Sequence, residues 1–60
     1  MDTNALANHL AGVELQLVEL VEQQKRAEAQ GDLARARSLQ GEIDALHREL
    51  AAGAEAIGLS

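Results

Sequence analysis

His9 and His47 are the chain's two imidazoles, the side chain best suited to bind a transition metal or to change charge near neutral pH. A helical zinc pair needs two ligands four residues apart on one face, and neither His9 with Glu14 nor His47 with Asp44 has that spacing. Both histidines read as solvated or rim residues. Glu14, Glu19 and Glu22 invite comparison with the carboxylates of di-iron bundles, which also require a Glu with a His three residues later. No Glu in this chain has one, so the three residues read as a solvated acidic face. Thr3, Ser38 and Ser60 are the only hydroxyls, and no base is placed to turn one into a nucleophile. A glycine-rich phosphate loop is missing as well. The residues that could do chemistry therefore predict no catalytic centre, no cofactor and no metal site, and a chain that is not an enzyme.

One charged cluster remains. Lys25, Arg26, Arg35 and Arg37 gather on either side of Gly31. Four cations without interleaved aromatic residues make a small footprint for nucleic acid. The net charge of −5 also argues against a broad phosphate-binding face, because phosphate contacts supply most of such affinity. A charge-complementary protein surface, a second copy of the chain included, suits the cluster better.

The elements that carry these residues must come from a very short chain. Sixty residues make at most one small domain, and a chain of that size buries only about 60% of its unfolded surface. Aromatic residues are absent, which removes the largest suppliers of buried area. Cysteine is absent too, so no disulfide staples the fold. Oligomerisation is the remaining route to stability. Residues 1–12 have no basic start and carry Asp2, Asn4, Asn8 and His9, unlike a secretory leader. No stretch approaches the roughly 18–20 apolar residues of a membrane span, so a soluble cytoplasmic protein is expected.

Periodicity sets the fold class. Proline is absent and the strongest helix formers dominate. Leu6, Leu10, Val13, Leu17, Leu20, Gln24 and Ala27 follow a heptad seam, and so do Ala36, Leu39, Ile43, Leu46 and Leu50. Alternation with period two is missing, so no strand is expected. The pattern predicts an all-α antiparallel hairpin: a first helix over about 4–30, a turn at 31–32, a second helix over about 32–52 and a frayed tail over 53–60, or alternatively a second helix that runs on past Gly53 and stops at Gly58. Asp2, Thr3 or Asn4 can cap the first helix. Gly31 fits the left-handed position past its end, and Asp32 fits the cap of the second helix. So short a link makes the helices antiparallel neighbours. Gly12 has two readings, a close helix approach or simple tolerance at a cost of about 1 kcal/mol. Glu22 with Arg26 and Asp44 with Arg48 have the spacing of favourable helical pairs.

Leu10, Val13, Leu17, Leu20, Leu39, Ile43, Leu46 and Leu50 are the expected core, with Leu33 and Ala36 extending the stripe of the second helix. The first helix has apolar residues to spare. Val18 and Val21 widen its stripe and Leu15 lies on its far side, so these three are expected to form an interface. A symmetric homodimer, two hairpins making a four-helix bundle, is the simplest closure. The tip is net +2 and the remainder −7, which favours packing tip against terminus.

Residues 20–50, LVEQQKRAEAQGDLARARSLQGEIDALHREL, resemble the UVR motif. That motif is the short helical hairpin of bacterial excision-repair helicase and nuclease subunits and of some protease adaptors. The likeness lies in the Gln-x-Lys-x-Ala character of the first arm and the acid at the turn. Leu33, Ala36, Leu39, Ile43, Leu46 and Leu50 then follow at the family's spacing. Leu33 stands where the family usually has Phe, and Gln40 with Gly41 where it has Arg-Asp. The resemblance implies a docking hairpin that pairs with a like hairpin. In length and outline the chain is also similar to Rop, a dimeric hairpin that binds RNA. The function expected is thus a self-associating adaptor or regulator of bacterial type that pairs with itself or another protein. The alternatives are a Rop-like nucleic-acid regulator using the basic tip, and an acidic inhibitor or antitoxin of a basic target.

Overall fold

A computed structural model of the chain describes residues 3–58, and it contains two helices, α1 (Thr3–Ala29) and α2 (Leu33–Gly58). No strand occurs among the described residues. Asp2, one of the expected caps of α1, lies outside them, as does the end of the tail at 59–60.

The turn is built by two residues with separate tasks. Gly31 takes φ = 76°, a left-handed conformation that a Cβ would disfavour. Its N–H donates to the Glu28 carbonyl at 3.0 Å, and the Asp32 N–H reaches back to the Ala27 carbonyl at 2.8 Å. This pair of bonds is the Schellman closure, which satisfies carbonyls left over at a helix end. Asp32 then opens α2. Its carboxylate accepts from the Arg35 N–H at 3.1 Å, and its carbonyl accepts from the Ala36 N–H at 3.1 Å. The side-chain bond is an N-cap, so one residue closes α1 with its N–H and starts α2 with its oxygens.

Two antiparallel rods result. The molecule measures 44 × 15 × 12 Å with a radius of gyration of 14.0 Å, whereas a compact domain of this length would have about 10 Å. Its accessible surface is 4460 Å², against about 3,800 Å² for a compact chain of this mass. The interior is correspondingly thin: Val13, Ala27, Ala36, Leu39 and Ile43 are the buried apolar residues among those described.

At the free end the structure departs from the boundary near Ala52 and agrees with the alternative stop: α2 passes through Gly53 and continues to Gly58. No proline interrupts it, and Gly53 has a packing reason to be there. A Cβ on Gly53 would stand 2.5 Å from Leu10 Cδ2, closer than real contacts come, and 3.0 Å from Cδ1, a tight one. The missing side chain lets the Leu10 isobutyl group lie against the α2 backbone. Gly12, the glycine with the close-approach reading, has nothing within 4 Å of the corresponding position, and Gly41 likewise.

These three glycines make a prediction. Gly12→Ala and Gly41→Ala should each stabilise the protein by about 1 kcal/mol, since Ala is the better helix former and has room. Gly53→Ala should gain less or lose, because Leu10 must swing away. Urea denaturation of the three variants at one protein concentration checks this, and an equal gain at all three sites would contradict the Leu10 contact.

Candidate interaction surface

Heptad spacing puts one row of each helix against the other, and the cross-helix contacts show how well the rows meet. Near the tip, buried Ala27, Ala36 and Leu39 form a cluster, with half-buried Leu20 packed on it. Two alanines facing each other let the helix backbones come close, because each adds only a methyl between the axes. That closeness brings Gln24 across. Its Nε2 donates to the Ala36 carbonyl at 3.2 Å and to Gln40 Oε1 at 2.7 Å, and Gln40 Nε2 donates to Asp44 Oδ1 at 2.9 Å. At the other end His9 Nε2 and Glu49 Oε1 are 2.6 Å apart. Both side chains of this His–carboxylate contact are about half exposed, and so it contributes little to stability.

The expected core divides in two. Val13, Leu39 and Ile43 are buried, while Leu10, Leu17, Leu20, Leu46 and Leu50 are half-buried. One neighbouring helix covers only the inner side of a seam residue and leaves its flanks to water. Leu33, expected to extend the α2 stripe, is 62% exposed. It opens α2 three residues before Ala36, and a rotation of about 100° per residue carries it off the seam. Of the three residues expected at an interface, Leu15 is 69% exposed, Val18 56% exposed and Val21 half-buried. Helical rotation places Val18 and Val21 along one flank of α1 and turns Leu15 to its back.

Charges near the tip do not form one patch. Arg26 and Arg35 border a groove of about 360 Å³ together with Gln23, Ala27, Gln30 and Asp32. Arg37 borders a second groove of about 370 Å³ across the Ala27–Ala36 neck, with Gln24, Glu28, Leu33, Ala36 and Gln40. Lys25 borders neither, and rotation puts it on the flank that carries Arg37. All four cations are exposed. The expected helical ion pairs do not form either. Asp44 gives its carboxylate to Gln40, and Arg48 Nε reaches the Asp44 carbonyl at 3.4 Å instead; Glu22 and Arg26 make no ion pair.

No cluster of three or more metal-ligating side chains occurs among the described residues. Nor is any helix among them long and apolar enough to cross a membrane. What the surface offers is exposed apolar side chains, Leu15, Val18 and Leu33, beside exposed charge. The sequence pattern singled out Val18, Val21 and Leu15 but missed the polar bridge at Gln24. Gln24 interrupts an otherwise apolar seam, and that interruption was its signal. No protein-family model matches this chain, nor does any curated protein or solved structure.

The polar bridge can be tested by a double-mutant cycle. Gln24→Ala, Gln40→Ala and the double variant should give a coupling of about 0.5–1 kcal/mol in thermal or urea unfolding. Strictly additive losses would show that the two amides do not bond.

Proposed function

We propose that this hairpin is a non-enzymatic protein–protein interaction module that associates with a second copy of itself, two hairpins making a four-helix bundle. The observation that carries this reading is the exposure of Leu15, Val18 and Leu33, each more than half open to water, on a molecule with so small an interior. Burying an apolar side chain is worth about 1.5–3 kcal/mol. Beside the five apolar residues buried among those described, covering Val18, Val21 and the open sides of the seam leucines is a large addition. A second copy supplies the cover without any further chain. The resemblance of residues 20–50 to the UVR hairpin supports the same mode of use, pairing with a like hairpin. A small adaptor or regulator in a bacterial cytoplasm fits this reading. The nucleic-acid alternative draws less support, because Arg26 and Arg35 open on one groove and Arg37 on the other.

Solution mass decides the matter. The chain should sediment at twice its 6.4 kDa at micromolar concentration and above, and Val18→Glu should shift it to a monomer with reduced helicity. A wild-type monomer, or a Val18→Glu variant with unchanged mass and full helicity, would contradict the proposal.

A further inference from the structure

The first seam of α1 has a second row beside it. Ala7, Ala11, Glu14, Val18, Val21, Lys25 and Glu28 each follow a seam residue by one position and so repeat its alternating spacing of four and three. Rotation of about 100° turns this row onto the flank of α1, where every member but half-buried Val21 is exposed. A heptad row is the pattern a helix needs to lie along a further helix.

The content of the row selects the partner and its direction. About the point between Val18 and Val21 its inner members are self-complementary: Val18 mirrors Val21, and Glu14 mirrors Lys25, with Ala11 mirroring Glu28 beyond them. We infer that the row is the contact between two copies of this chain. The two α1 helices run antiparallel about a two-fold axis passing between Val18 and Val21. The partner's Lys25 then meets Glu14, and the partner's Glu14 meets Lys25. This inference rests on the self-association proposed above and adds its face, direction and register.

Other features of that flank agree. Neither Glu14 nor Lys25 makes an ion pair or hydrogen bond within the hairpin, so both charges are available. Arg37, the other cation on this flank, stands level with Lys25, because Gln24 bonds to both Ala36 and Gln40. It therefore falls at the same end as the partner's Glu14. A parallel arrangement would set Glu14 against the partner's Glu14 and Lys25 against the partner's Lys25, and like charges oppose association. On α2 the matching row is apolar only at its ends, Leu33 at one and Ala51 with Ala54 at the other. The antiparallel axis brings Leu33 over that small-residue end of the partner. Asp44 lies level with the axis with its carboxylate already held by Gln40. The two α1 helices thus carry the centre of the contact.

Charge exchange tests the register. In sedimentation equilibrium, Glu14→Lys and Lys25→Glu should each weaken the dimer about five- to tenfold, since two pairs per dimer become repulsive. The double exchange should return it to near the wild-type value. In a parallel dimer neither single change would alter the number of like-charge contacts, so unchanged affinity overturns the register. A second readout uses the absence of cysteine. Under oxidising conditions Glu14→Cys mixed with Lys25→Cys should cross-link, and Glu14→Cys alone should not, because the two positions lie about 16 Å apart along α1. Self-linking of Glu14→Cys overturns the antiparallel direction while leaving self-association standing. A wild-type chain that is monomeric throughout overturns self-association itself and assigns the row to a different protein.

Discussion

Two helices that touch along one line can shield only the atoms lying between them, and this geometric limit governs the whole molecule. A seam residue in a hairpin meets one neighbouring helix on its inner side and water on both flanks. Val13, Leu39, Ile43 and the alanines near the tip are buried, whereas Leu10, Leu17, Leu46 and Leu50 keep a flank open. With no aromatic residue to fill the space, no choice of seam residues alone would supply a deep interior. The elongated shape and large surface of the hairpin follow from the same limit, and so does the apolar residue left on the outside of α1.

Within that limit the register is pinned at three heights. At the tip, Gly31 and Asp32 close one helix and open the next through four backbone and side-chain bonds. A little further along, the alanine neck admits Gln24, whose amide can reach α2 only at one offset. At the far end Leu10 occupies the space that a side chain on Gly53 would fill. A slide of one residue would break the amide bridge and drive Leu10 into a Cβ. Polar and steric devices therefore do together what a larger core would do by packing, and the hairpin offers a defined rather than a shifting surface to whatever binds it.

Much of this was legible in the residues, and the parts that were not have identifiable causes. The turn was readable because left-handed backbone and N-capping are local demands that Gly31 and Asp32 meet with their own atoms. The helices were readable from their heptads. The end of α2 was readable only as two alternatives, Gly53 or Gly58, since Gly53 has the same letter whether it terminates a helix or admits a neighbour, and only the position of Leu10 distinguishes the two. Gly12 showed the converse, a glycine inside a helix with no neighbour to explain it. Leu33 looked like a seam residue by type, but the phase of α2 is fixed by Ala36 and Leu39, and that phase turns Leu33 outward. The Asp44–Arg48 ion pair failed because the Asp44 carboxylate takes its bond from Gln40; nothing in the structure accounts for the missing Glu22–Arg26 pair. As for the surface, an apolar surplus on α1 could be read from the sequence. Its arrangement as a second row needed the burial of the first row to be known.

Everything about use follows from whether that surplus is covered by another copy. The most direct measurement is the thermal midpoint followed by circular dichroism across a hundredfold range of protein concentration. If folding and pairing are coupled, the midpoint rises steadily with concentration. A midpoint that stays constant over that range, with full helicity at the lowest concentration, would mean that the lone hairpin is stable by itself and that its exposed flank is no self-association surface.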